Sequence, residues 1–434
     1  MVSPDVVESL ISGVRLSSVG PAAVTPPDLI YEPSNMDLAM KLHYLRGVYF
    51  FSSSSVEGFT IPKIKETMFQ WLELYYHASG RFRRSESGRP FIKCNDCGVR
   101  FIEAKCSQTL DEWLEIKDFS THCRFVSNQV IGPELPFSPL VLLQITWFKC
   151  GGMAVGVSWA HVLGDAFSAS NFINMWGQVL AGNKPELPPY VSRLEKSEKP
   201  PSLAQEPLSV KRVDPVGDNW VVPGNCKMEM LSFRLAATQL DGLQSRVSGQ
   251  KQKNDQAPLF ECICAVIWQS LAKIREGPEP RIVTICRKEP HNRGRLTLSN
   301  NQMISVAKAD FSVVEAKPKD LVELIAKPSV NENTQIEKLV KKDQGLMDFV
   351  FYGANLTFVD LGGSDLYGLE LNKTKPVFVN YTVDGVGDEG VIFVLPEAKV
   401  AGEDGRGGQT VTLILPENQL MKLKDELKRE WSIK

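Results

Sequence analysis

His161 and Asp165, an imidazole and a carboxylate in the segment HVLGD, are the side chains whose types and spacing could do chemistry. An imidazole titrates close to neutrality, so it suits removal of a proton from a hydroxyl or an amine. The pattern predicts a strand from Met153 to Ala160 that stops at His161. Gly164 breaks it, and a helix is expected from near Ala166, with Ala169, Phe172, Trp176 and Val179 on one side. A side chain at such a strand end is held rigidly yet opens onto a cleft. A plainer reading has Asp165 capping that helix and His161 as a satisfied loop histidine. With five histidines, an aspartate four residues on arises by chance in about a quarter of such chains, so the spacing alone is weak.

The elements around the pair read as a mixed α/β (α+β) chain. Asn35 and Asp37 are placed to cap a helix running through Met40 and Leu45, and Ile64 to His77 has apolar residues at helical spacing. Pro90 to Ala104 alternates in part. Leu140 to Phe148 and Met153 to Ser158 flank Gly151-Gly152, a two-residue hairpin signal. Later, Pro258 to Ile274 reads as a helix with Phe260, Cys264, Trp268 and Leu271 on one face. Two alternating strands, Gly390 to Leu395 and Thr410 to Leu415, then precede a charged helix from Pro416.

At 434 residues the chain suits two domains, given a prior of roughly 150 residues per domain. The proline-dense stretch Ala181 to Gly224 reads as an exposed crossover linker between residues 1–180 and 225–434. Hydrophobic residues make up 43% and charged residues 23%, the composition of an ordinary globular protein. A net charge of −2 gives no global reason to expect a nucleic-acid partner. Asp5 and Glu8 stand where a secretory signal would carry positive charge, and the most apolar run, Leu140 to Phe148, is far shorter than the ~20 residues that span a bilayer. No export signal or transmembrane segment is therefore expected. Nine scattered cysteines favour a reducing compartment. Cys94 and Cys97 form one CxxC, with Cys106, His122 and Cys123 nearby, but one half-site is a weak zinc motif beside a strand-turn reading, and no metal is expected. Arg81, Arg83, Arg84, Arg89 and Lys93 read as a solvated strand edge before they read as a phosphate site.

The stretch PLVLLQITWFKCGGMAVGVSWAHVLGDAFSASNFINMWGQVLAG resembles the central segment of the BAHD, or HXXXD-type, acyltransferases. SGRFRRSESGRPFIKCNDCGVRFIEA and NMDLAMKLHYLRGVYFF resemble its N-terminal blocks, and the helix from Phe260 to Ile274 its counterpart. The resemblance implies a two-domain chloramphenicol-acetyltransferase-like fold. A channel between the domains would be reached by acyl-CoA from one face and by the acceptor from the other. His161 would be the general base for acyl transfer to an alcohol or amine, a role typically worth ~10²–10⁴-fold in rate. Asp165 would orient the motif loop by pairing with an arginine, for which Arg287 in TICRKEP is in place. Acyl-CoA would be substrate or ligand, with no bound cofactor.

Three departures narrow the resemblance. Ala166 replaces a glycine, RKEPHNRGRLTLSNN keeps of its usual ending only an asparagine at Asn300 or Asn301, and the family's DFGWG is here Asp365-Leu366-Tyr367-Gly368-Leu369. Changing the glycines should reshape that loop, and losing its tryptophan removes a group near the reaction centre. With RLSSVGPA, VKRVDPVGDNW, FVFYGANLTFVDL and VNYTVDGVGDEG, these features resemble the eceriferum/glossy branch of plant wax-biosynthesis proteins. That branch implies an accessory role in very-long-chain fatty acid elongation with a membrane-bound ketoacyl-CoA synthase, on the cytoplasmic side of the endoplasmic reticulum or from the cytosol. The chain would otherwise be monomeric, and its histidine motif dispensable.

Overall fold

Two six-stranded sheets carry the architecture. In the first, the spatial order is Ile11–Val19, Val99–Cys106, Val141–Phe148, Met153–Ala160, Tyr44–Phe51 and Phe378–Asp384. In the second it is Met228–Leu235, Gln409–Pro416, Val391–Pro396, Leu356–Asp360, Ile282–Arg287 and Met303–Lys308. The computed structural model describes residues 10–115, 124–128, 131–132, 134–185, 206–249, 257–289, 298–327, 331–398 and 407–433.

Val141–Phe148 and Met153–Ala160 are buried on both faces, which is why they read as continuous apolar runs rather than as alternating ones. Gly151, at φ +83°, turns between them. On one face the helices Ile61–Leu74 and Ala166–Leu180 meet through Trp71, whose ring lies 4.1 Å from Phe172 and 5.8 Å from Trp176. The Trp71 indole N–H donates to the Phe172 carbonyl at 2.9 Å, so the aromatic contact also has a fixed rotation. In the second half the helix Leu259–Ile274 is buried almost all round, sandwiched between its sheet and neighbouring helices.

The strand Phe378–Asp384 belongs by sequence to the second half but pairs antiparallel with Tyr44–Phe51 at the edge of the first sheet. The hydroxyls of Tyr49 and Tyr381 meet there at 2.6 Å in a buried site. One continuous strand therefore ties the two halves together.

One expectation is corrected. The helix capped near Asn35 ends at Ala39, and Leu45 lies in a strand. Ser34 is the true cap, and Asp37 completes a reciprocal capping box with it. Of the proline-rich stretch, residues 186–205 lie outside the described residues, and the part from 206 on, though mostly exposed as expected, is anchored to the fold at several points. Lys211–Val213 pairs with Asp348–Val350, the Ser209 main-chain N–H donates to Glu332 at 2.9 Å, and Trp220 is buried against Phe82 at 4.5 Å. Prolines exclude helix and central strand; they do not exclude packing. No described helix is long and apolar enough to cross a membrane.

Candidate active site

The strand Met153–Ala160 ends as the pattern predicts, and a short turn over His161–Leu163 carries His161 into the seam between the halves. His161 is 0% exposed, and Nε2 lies 2.8 Å from the hydroxyl of Tyr352, a residue 191 positions away in sequence. Gln302 Nε2 donates to that hydroxyl at 3.4 Å. The contact occupies Nε2 in either imidazole tautomer, as the acceptor of the phenol proton or as a donor to the phenol oxygen. Burial pushes His161 down to about 4 and the Tyr352 phenol well up. At neutral pH both groups are uncharged.

Asp165 caps the helix Ala166–Leu180, its Oδ1 accepting the Ser168 main-chain N–H at 2.9 Å. Its Oδ2 accepts two more, from Asn301 and Gln302, each at 2.9 Å. Burial raises its pKa while these three donors favour the ionised form. The expected Asp165–Arg287 pair does not form. Arg287 instead donates to Glu261 Oε1 at 2.6 Å and lies over the Phe260 ring at 5.1 Å. The reason is local: three main-chain donors already satisfy Asp165, and the helix Leu259–Ile274 brings Arg287 a nearer carboxylate. Asp165 thus orients the motif through the segment 299–302, and Arg287 supports a different helix.

That segment is gripped from a second side. Asn300 donates through its main-chain and side-chain nitrogens to Asp37 Oδ1, and its side chain also donates to the His161 carbonyl at 2.8 Å. It is the surviving asparagine expected near this position. Residues 290–297, the bulk of the rewritten segment before it, lie outside the described residues.

The Asp365-Leu366-Tyr367-Gly368-Leu369 loop keeps its dock on the motif helix. Asp365 is exposed and supports the loop through its main-chain carbonyl, which accepts from Ser170 Oγ at 2.9 Å and from Asn174 Nδ2 at 2.7 Å. Leu366 and Leu369 are buried, the latter against Gly177. A Cβ on Gly368 would fall 2.4 Å from both Asn174 Nδ2 and Asp365 Oδ2, so close backbone approach is retained at a shifted position. No side chain of this loop is hydrogen-bonded to His161.

His43 completes the cluster and was not singled out by sequence. Its Nε2 accepts the Phe351 main-chain N–H at 3.0 Å, and its ring lies 5.0 Å from Tyr352 and 6.3 Å from His161. Burial, with His161 as a secondary cause, pushes it down to about 3. Its Nδ1 edge faces Gly385. Gly385 lines a pocket of about 470 Å³ between the halves, walled by Leu42, Trp220, Val222, Met230, Val386 and Ile414 and also by the charged Lys41, Arg46, Glu229 and Asp384. His43 thus lies next to Gly385 of this pocket wall on one side and to His161 on the other.

The basic cluster is not one surface. Arg81 is buried, donating to the carbonyls of Gly80 at 2.8 Å and Gly98 at 3.0 Å; Arg83 reaches the Pro136 carbonyl, Arg84 pairs with Asp218, and Arg89 holds Asn35. Arg84, exposed on the edge strand Arg81–Arg84, fits the solvated edge, and Lys93 is exposed on the central strand Pro90–Lys93 of the same sheet. Cys94 is buried, its thiol pushed up to about 12, whereas Cys97 is exposed. Among the described residues no group of three or more His, Cys, Asp or Glu is placed to hold a metal ion; His122 and Cys123 lie outside them.

A model of the Transferase family matches residues 16–430. Protein ECERIFERUM 26 of Arabidopsis thaliana is 39% identical over 96% of this chain and 96% of its own length. Protein ECERIFERUM 2 of the same plant is also 39% identical, over 96% of this chain and 98% of its own. A hydroxycinnamoyltransferase of Narcissus pseudonarcissus is 31% identical over 62% of this chain and 63% of its own. Among solved structures, vinorine synthase matches with a TM-score of 0.69 at 17% identity, covering 96% of this chain and 98% of that one. F. graminearum TRI101 complexed with coenzyme A and deoxynivalenol reaches 0.67 at 14% identity, covering 93% and 98%. At those identities the solved structures speak for the two-domain fold, while the family model and the full-length relatives speak for descent: the chain belongs to the Transferase family of BAHD acyltransferases, in the ECERIFERUM branch.

Proposed function

We propose that this chain is an acyltransferase-fold accessory factor that promotes very-long-chain fatty acid elongation for cuticular wax, working with a membrane-bound ketoacyl-CoA synthase at the cytoplasmic side of the endoplasmic reticulum. The observation that carries the reading is the state of His161. A general base needs hydrogen-bond reach to the proton it removes, and its Nε2 is buried and engaged by Tyr352 at 2.8 Å. The rebuilt loop after Asp365 adds to this, since none of its side chains bonds to His161. The apolar part of the pocket beside His43, formed by Leu42, Trp220, Val222, Met230, Val386 and Ile414, suits a hydrocarbon chain such as that of an acyl-CoA. Membrane location comes through the partner.

Co-expression with a plant ketoacyl-CoA synthase in yeast, followed by fatty-acid length analysis, tests the reading. Acids longer than the synthase makes alone are expected, and His161→Ala should give the same profile. An unchanged chain-length profile with the wild-type chain sinks it.

A second reading is a working acyl-CoA-dependent O- or N-acyltransferase with His161 as base. It is favoured by the position of His161 at a rigid strand end beside a fully satisfied Asp165. Purified protein would then release free CoA with an alcohol or amine acceptor, and His161→Ala would abolish the release.

A further inference from the structure

Tyr352 is set by backbone, not by a swinging loop. Its carbonyl accepts the Gly387 N–H at 2.9 Å, and the next residue, Gly353, sits at φ +83° where a Cβ would fall 2.3 Å from the Gly387 carbonyl oxygen. The ring is flanked by His43 at 5.0 Å, Phe351 at 4.9 Å and Phe393 at 6.1 Å. It is 0% exposed. Everything around it fixes one rotamer, with the hydroxyl on His161.

A neutral imidazole has a single lone pair for accepting a proton. At His161 Nε2 the Tyr352 hydroxyl lies in the place a substrate hydroxyl or a water would need, 2.8 Å away. The Gln302 amide also donates to the phenol oxygen, at 3.4 Å.

We propose that Tyr352 is a built-in stopper of the acceptor position on His161: its phenol excludes any acceptor from Nε2, and removing it is sufficient to let His161 serve water as a base. The inference deepens the accessory reading by giving a physical reason for an idle His161. Its test reads chemical access, not fatty-acid length, so the two fail separately. With the phenol gone, His161 takes a proton from water as the water oxygen attacks a thioester carbonyl. The C–S bond then breaks, and the CoA thiolate leaves with the proton returned by the imidazolium.

The test uses the purified full chain at neutral pH, with folding checked by circular dichroism. Carbethoxylation of each histidine by diethyl pyrocarbonate is followed by peptide mass spectrometry. In the wild type, His161 should react roughly a hundredfold slower than N-acetylhistidine, as for a group reached only through local opening. In Tyr352→Ala it should come within about tenfold of that reference. Palmitoyl-CoA supplied without an acceptor should be hydrolysed by Tyr352→Ala, not by the wild type, and the hydrolysis should vanish in the Tyr352→Ala/His161→Ala double variant. If Tyr352→Ala does not fold, Tyr352→Leu is read in its place. A wild-type His161 as reactive as the reference overturns the proposal. So does a folded variant that leaves His161 unreactive, or one that gains access without hydrolysis. An acyl adduct on Tyr352 in the wild type would also overturn it, since the phenol would then be a nucleophile.

Discussion

Asp37 Oδ1 accepts both the main-chain N–H of Asn300, at 3.1 Å, and its side-chain amide, at 2.8 Å. The same amide also donates to the His161 carbonyl, so one asparagine joins a helix cap near residue 37 to the histidine turn. Asn300→Ala leaves a buried carboxylate and a carbonyl short of donors and should lower stability by about 1–3 kcal/mol. Urea unfolding measures this, and an unchanged midpoint would show the link to be dispensable.

The partners of Asp165 and Arg287 make a sharper test. Because Arg287 bonds to Glu261 and not to Asp165, alanine variants at Arg287 and Glu261 should couple by ~0.5–3 kcal/mol in a double-mutant cycle. Alanine variants at Asp165 and Arg287 should be additive to within ~0.5 kcal/mol. Coupling of the second pair in place of the first would restore the pairing expected from family resemblance.

Acid should destabilise the fold through its buried histidines. Burial lowers His161 and His77 to about 4 and His43 to about 3, so below the unfolded value near 6.5 the unfolded chain binds the extra protons. Stability from these groups is complete above that value and is lost as pH falls toward 4 and then 3. For His161 alone the full effect is about 3 kcal/mol, at 1.36 kcal/mol per unit. The raised Asp37 and Asp165 act in the opposite sense at the acid end. Comparing wild type with His161→Asn in urea between pH 7.5 and 5 isolates the histidine, and the variant should show the shallower loss on acidification.

Trp220 decides whether the described end of the proline-rich stretch is a tether or part of the core. Packed on Phe82 with Lys41 at 6.0 Å from its ring centre, it should cost ~3–5 kcal/mol on truncation to alanine, the range for a buried large aromatic. A solvent-exposed linker residue would cost almost nothing in the same denaturation experiment.

The family-model match and the strand-turn-helix around His161 were legible because they are local. The apolar runs at Val141–Phe148 and Met153–Ala160, the Gly-Gly turn and the cap at Asp165 each depend on neighbours a few residues apart. The helix from Leu259 and the last strands were legible for the same reason. The helix expected through Leu45 failed because the capping signal marks a start and not a length. Tertiary pairing of Tyr44–Phe51 with strands on either side then took the apolar residues that helical spacing had claimed.

What the sequence by itself determined is ancestry, the order of elements and the place of His161 at a strand end. Tertiary structure alone decided what His161 touches. Tyr352 and Gln302 arrive from separate segments of the second half, and His43 from the first, and each carries no local sign of a role because its partner is distant in the chain. The same holds for Asp165, whose donors are main-chain N–H groups that any residue type could supply. Side-chain identity encodes what a group is able to do, whereas burial and the atom at its open lone pair determine whether it does so, and both are properties of the packed seam between the two sheets.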